Sequence, residues 1–182
     1  MAVENKVRTR ILKTAGSLFT LKGYELVGIN EIIEKSEIAR ATFYNHFKSK
    51  ERLCLDWLKE EKESSEENNT AILKSYTSAS DCIKIKYSQL ESHLKENQFR
   101  GCPFSNTKVM TPDSQDISKF IITYKNGSLG FWSAVARRAN KEDLGGPLFL
   151  LYSGATSEAQ NLESCSPLQI ALDSSLTLIS SS

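Results

Sequence analysis

With 182 residues the chain can bury the core of one large domain or of two small ones, and its 40% hydrophobic and 25% charged content is ordinary for a globular protein. A net charge of +1 excludes a protein drawn to nucleic acid by bulk basicity, so any such role must rest on where the charges lie. Residues 1–60 hold 11 Lys and Arg against 8 Asp and Glu, a balance of +3, while residues 61–182 hold 12 against 14, a balance of −2.

The first periodic segment spans residues 8–25, where Ile11, Ala15, Leu18 and Phe19 form a helical stripe. Gly23 stands where a left-handed terminal cap is wanted, because only Gly takes positive φ without a Cβ penalty. Residues 28–40 follow as a short amphipathic run, with Ile29, Ile32 and Ile33 on one face and Glu37-Ile38-Ala39 as a turn. In residues 41–53, Ala41, Phe43, Tyr44 and Phe47 alternate with Arg40, Thr42, Asn45, His46 and Lys48. One side of this segment is apolar enough to dock, and the other carries cations, hydroxyls and an amide. A helix held rigidly while it reads a DNA groove needs that division.

Ser49 caps a further helix over residues 49–63, with Glu51 in its first turn and Leu53, Leu55, Trp57 and Leu58 as apolar positions. The polar stretch 60–70 reads as a solvated helix end. Ser80-Asp81 starts the next helix, carrying Ile83, Tyr87, Leu90 and Leu94, and Gly101 and Pro103 interrupt it before a short helix over 102–110. After the break at 111–114, with Asp113 or Ser114 as cap, Ile117, Phe120, Ile121, Tyr124, Leu129, Trp132 and Val135 form a long stripe ending near Arg137-Arg138. Residues 142–162 are rich in Gly, Ala and Ser, and Pro167 opens a last, apolar helix. The expected fold class is all-α with about nine helices.

The ordered set in residues 8–53 resembles the TetR family of helix-turn-helix transcriptional regulators, and the segment at 100–107, RGCPFSNT, resembles the branch that includes regulators of multidrug export genes. The resemblance implies a three-helix DNA-binding domain over residues 1–48 and a helical ligand-binding and dimerisation domain over 49–182. It implies a homodimer on near-palindromic double-stranded operator DNA, acting as a repressor released by a small apolar or aromatic effector. Groove-facing candidates are Arg40, Thr42, Asn45 and His46, and Tyr44, Lys48 and Lys50 are placed for phosphates. The family's matching tyrosine and the lysine opening the next helix contact the DNA backbone, so Tyr44 and Lys50 inherit that role by resemblance. Gly28 stands where a Thr or Ser commonly caps the second helix, Glu37 replaces a usual turn Gly, and Ala39 replaces a usual polar residue. These departures bear on the phosphate contact at Gly28 and not on the fold.

The middle helices supply an expected effector pocket of Tyr87, Phe104, Asn106, Met110, Phe120, Tyr124, Phe131, Trp132 and Tyr152. The last two helices supply an expected dimer interface of Leu151, Gly154, Ala155, Leu168, Leu172 and Leu176, where small residues allow close approach. No cofactor or metal is expected, because Cys54, Cys82, Cys102 and Cys165 lack ligand spacing. With no signal peptide, and a longest apolar stretch of only residues 147–152, a cytoplasmic protein is expected. A competing reading makes Cys102 a redox sensor. An enzyme with Cys102 as nucleophile and His93 as base is poorer, because no third group orients the pair.

Overall fold

The computed structural model describes residues 2–181 and is all-helical there, with no strand among the described residues. Nine α-helices follow in order: α1 (Ala2–Lys22), α2 (Ile29–Lys35), α3 (Arg40–His46), α4 (Lys50–Ser75), α5 (Ala79–Glu96), α6 (Pro103–Met110), α7 (Gln115–Arg138), α8 (Gly145–Leu162) and α9 (Ser166–Ser180). A 3₁₀ turn at Glu142–Leu144 precedes α8. The chain divides into two compact units, one of residues 1–63 and 103–121, the other of 64–102 and 122–182. This division differs from the expected one at 48/49: the breaks at 63/64 and 121/122 fall inside α4 and α7, so each of these helices contributes to both units.

In the first unit the helix ends follow local chemistry. Gly23 takes φ +86 and its N–H donates to the Phe19 carbonyl at 2.9 Å, closing α1. The α2–α3 turn is a Schellman motif: Glu37 sits at φ +51, its N–H donates to Glu34, and the Ile38 N–H donates back to Ile33. Glu37 thus adopts the conformation that a glycine would take without penalty. Ser49 caps α4 by accepting from the Arg52 N–H at 3.0 Å, and Ser114 caps α7 by accepting from Ile117 at 3.2 Å. Ile11, Leu12, Ala15, Phe19, Val27, Ile32, Phe43, Phe47, Leu53 and Leu58 are all buried. Gly16 admits the Trp57 indole, since a Cβ there would lie 2.6 Å from its Nε1.

α4 runs on to Ser75, so the stretch read as a solvated helix end is the second half of one 26-residue helix. Its polar faces are used: Asn68 and Gln89 exchange amide hydrogen bonds at 2.8 and 3.1 Å, and Asn69 accepts from Lys86. The next helix starts at Ala79, one residue earlier than expected, because Ser78 caps it by accepting from the Asp81 N–H. The second unit's core joins α5, α7, α8 and α9 through Tyr87, Leu90, Leu94, Trp132, Val135, Leu148, Ala159 and Leu168. Gly145 brings α8 close to α7, because a Cβ there would lie 2.8 Å from the Ser133 Cα.

Candidate functional site

The geometry of α3 decides which of its residues face outward. Phe43 and Phe47, four apart, are buried and pack ring to ring at 6.1 Å, so one stripe of the helix is committed to the core. Arg40, Ala41, Tyr44 and Asn45 are exposed at i, i+1, i+4 and i+5 and share the opposite face, and Lys48 is exposed in the turn that follows the helix. Thr42 and His46 are half-buried at the flanks, with the His46 ring 6.4 Å from Phe47. Ala41 and Tyr44, read from the sequence with the apolar docking positions, are exposed instead, because they lie a fraction of a turn away from the buried Phe43.

Two cations near this face are positioned by neighbours. Arg40 donates to Asn30 Oδ1 at 2.9 Å and lies 5.5 Å over the Tyr44 ring, which ties α3 to α2 and still leaves most of its five N–H donors unused. Lys50 donates to the Tyr24 carbonyl at 3.1 Å and sits 4.2 Å over the Tyr24 ring, so its ammonium has a structural partner as well as the expected phosphate role. Burial, with Cys54, Glu51 and Glu25 nearby, pushes the Tyr24 hydroxyl up to about 12. Burial pushes the Cys54 thiol up to about 12 as well, against the pull of Lys50, so Cys54 is a core residue and no nucleophile. Lys48 has no ion pair or hydrogen bond among the described residues. Gly28 caps α2 with no side-chain acceptor and has open space where a Cβ would go. Ala39 likewise caps α3 without one.

Asp56 gathers Arg8 at 2.9 Å, Lys59 at 2.8 Å and Arg52 at 3.4 Å. Burial alone would raise the Asp56 pKa, but these three cations outweigh it and hold the carboxyl below its ordinary range. Arg8 also lies 5.3 Å over the Phe47 ring, which links α1 to the last turn before α4.

This is the geometry of a helix-turn-helix, and residues 11–56 match the family described as "Bacterial regulatory proteins, tetR family". The amino-terminal module is that of the tetR family. Over 51 residues, 28% of the chain, it is 45% identical to the uncharacterized HTH-type transcriptional regulator YerO of Bacillus subtilis (strain 168), of which the match covers 18%. Over 102 residues, 56% of the chain, it is 31% identical to the HTH-type transcriptional regulator LmrA of the same organism, of which the match covers 49%. The matches thus span at most about half the length of these relatives. In fold, the chain is similar to SCO4454, a TetR-family transcriptional regulator from Streptomyces coelicolor, with a TM-score of 0.81 at 24% identity over 96% of this chain and 93% of the other. Residues 11–56 lie within the first unit, and the fold of SCO4454 is shared over nearly the whole chain.

The residues expected to line an effector pocket fall in both units. Phe104 and Phe120 belong to the first, and Asn106 with them; Met110 lies against Gly23 there, its methyl within 2.7 Å of where a Cβ would stand. Tyr87, Tyr124, Phe131, Trp132 and Tyr152 belong to the second. There the rings form one cluster: Trp132 lies 5.1 Å from Tyr152, 5.2 Å from Phe131 and 6.2 Å from Tyr87, and Tyr87 lies 5.6 Å from Tyr152. The Tyr87 hydroxyl meets Ser175 Oγ at 3.3 Å, and Ser175 in turn donates to the Ala171 carbonyl at 2.7 Å, so Tyr87 is the donor of that pair. Burial raises the pKa of the Tyr152 hydroxyl, reinforced by Tyr124, Cys102 and Tyr87. Lys86 enters this cluster unannounced by the sequence.

Of the residues expected at a dimer contact, Ala155 and Leu168 are covered by the second unit's own core, and Leu151, Leu172 and Leu176 pack against it. Gly154 stays exposed with open space around its Cα. The apolar side chains left bare on α8 and α9 are instead Leu150, Leu162 and Ile170, each more than 60% exposed. Helical spacing alone could not separate the inward leucines from these, because apolar residues recur on more than one face of both helices.

Cys102 is half-buried, with Lys125 Nζ 3.8 Å from its sulfur. His93 is exposed and its ring meets Asn97 at 3.3 Å, so the two members of the enzyme reading are not joined by a hydrogen bond. Among the described residues no group of three or more His, Cys, Asp or Glu is arranged to hold a metal ion, and no helix is long and apolar enough to cross a membrane.

Proposed function

We propose that this chain is a DNA-binding transcriptional regulator that reads double-stranded operator DNA with the outward face of α3. The observation that carries the reading is the division of that short helix: Phe43, with Phe47 just past its end, anchors it, while Arg40, Tyr44 and Asn45 stand on the bare side and Lys48 is exposed in the turn that follows. Asn45 offers an amide for the edge of an adenine, Arg40 a fork for guanine or phosphate, and Tyr44 and Lys48 donors for the backbone. One such helix covers too little DNA for tight binding, so the regulator works as a homodimer on two half-sites about 34–36 Å apart. Leu150, Gly154, Leu162 and Ile170 are the surface that a second copy would cover. Gly154→Leu should then lower the dimer fraction in sedimentation while the helical signal persists.

The ring cluster of α5, α7 and α8 is where an effector would bind, and release from the operator, hence repression, is the output assigned to it. α4 and α7 carry the message, since each contributes to both units. Such a protein acts in the cytoplasm beside its DNA, and catalysis is no part of this role. Selection of bound duplexes from a random pool tests the reading: enrichment of a near-palindromic sequence supports it, and a pool that stays random refutes it.

A second reading has one specific observation behind it, the Lys125 ammonium beside the half-buried Cys102 thiol. Attack of that sulfur on the O–O bond of a peroxide would give the sulfenic acid, with hydroxide or an alkoxide leaving, and would make release redox-dependent. Operator binding by Cys102→Ser before and after peroxide separates the two inputs.

A further inference from the structure

Lys86 is buried, only 9% exposed, and no carboxylate pairs with it among the described residues. Its ammonium donates to Asn69 Oδ1 at 2.6 Å and otherwise faces rings, 5.3 Å from the centre of Phe131 and 5.9 Å from that of Tyr152. Burial pulls its pKa down to about 8, with no opposing charge to hold it up. Ring faces at those distances attract a cation weakly and return only a part of what desolvation costs. Trp132 is fully buried between the same two rings, and its Nε1–H meets no acceptor.

The cluster therefore holds donors that its own acceptors leave unmatched. Lys86 has N–H groups left after Asn69, the Trp132 N–H is orphaned, and the one nearby hydroxyl pair, Tyr87 with Ser175, is already satisfied through Ala171. Orphaned buried donors are uncommon in folded proteins and mark a place where something else completes the bonding. A ligand that answers this set must bring acceptors and negative charge, together with an apolar body to lie among the rings.

We propose that the ring cluster of the second unit binds a small organic carboxylate with an aromatic or alicyclic body, its anion held by Lys86 Nζ and Trp132 Nε1–H and its body by Phe131, Tyr152 and Tyr87. This rests on reading the second unit as the effector-binding one, and it changes the expected effector from merely apolar to anionic. Lys86 is the residue that selects for charge, and Trp132 gives the carboxylate its second donor.

Calorimetric titration of the full chain without DNA tests this with matched pairs: benzoate and benzamide, cinnamate and cinnamamide, 2-naphthoate and 2-naphthamide. At least one carboxylate should bind at least ten-fold more tightly than its amide at pH 7. Lys86→Met should remove that preference, Lys86→Arg should keep it, and Trp132→Phe should weaken the carboxylate about ten-fold with the amide little changed. Binding of no carboxylate, equal binding of acid and amide, or an undiminished preference in a folded Lys86→Met variant each overturns the proposal. Running the duplex selection in parallel keeps the two readings apart. A chain that reads DNA but takes no carboxylate loses only this inference, and one that takes carboxylates through Lys86 but reads no DNA loses only the regulator.

Discussion

The two units treat polar chemistry in opposite ways. The first keeps its cations outside: Arg40 and Lys48 are exposed, Lys50 is half-exposed over Tyr24, and what it buries is aliphatic and aromatic apart from hydroxyls such as Thr107 and Ser36, whose Oγ has no partner but carries no charge. The second buries a lysine and an indole N–H without completing their bonding. A surface that meets DNA gains from solvated, adjustable charge, because phosphates supply the partner and released counterions the driving force. A site that meets one small molecule gains from fixed, desolvated donors, because they reject what does not complete them.

Three substitutions sharpen this contrast. The largest effect belongs to Lys86→Met, which removes the uncompensated buried charge. Because the folded-state pKa of about 8 lies below the ordinary 10.5, the unfolded chain holds the extra proton between those values, and stability rises with pH across that window. The variant should therefore be more stable than the parent by about 2–3 kcal/mol at pH 7, with the difference shrinking towards pH 10.5. Urea unfolding at pH 7, 9 and 10.5 reads it, and a pH-independent difference would mean that Lys86 is not desolvated.

Next is Gly16→Ala in the first unit. Alanine favours a helix, but its Cβ would meet the Trp57 ring at 2.6–2.7 Å in a closed core, and Trp57 has no free space to retreat to because it is itself buried. A net loss of about 2 kcal/mol is expected. A gain in stability would show that the α1–α4 contact is loose.

The smallest of the three is Glu37→Gly. Relieving the positive φ in the α2–α3 turn should add about 1 kcal/mol and leave the turn geometry unchanged. An unchanged or lowered midpoint would mean that Glu37 is not held in that conformation in solution.

How much of this was legible in the sequence differs between the units for physical reasons. The stripe of Ile11, Ala15 and Phe19, the alternation across Phe43 and Phe47, and the caps at Ser49 and Ser114 are local signals, and the helices follow them. The continuation of α4 to Ser75 was not visible, because the Asn68–Gln89 and Asn69–Lys86 bonds that use its polar faces join residues 17 to 21 apart. Lys86 escaped for a related reason. Between Ile85 and Tyr87 it reads as a solvated position, and only the packing of α7 and α8 encloses it. Leu168 and Ile170 read alike in an apolar helix, yet one is core and the other bare. The departure at Glu37 was visible but not its consequence, a left-handed residue in the turn that sets α3 against α2.

The central claim, that the bare face of α3 reads DNA, is tested most directly by affinity for the selected duplex as a function of salt, for the parent, Lys48→Ala and Asn45→Ala. Lys48 is the cleanest phosphate probe, since unlike Lys50 it has no structural partner to lose. The account predicts that Lys48→Ala weakens binding to specific and random duplexes alike and lowers the salt slope by roughly one. Asn45→Ala should keep the slope and lose about 1–3 kcal/mol of discrimination at a single base-pair position. Unchanged affinity and slope in both variants, with the fold intact, would contradict it.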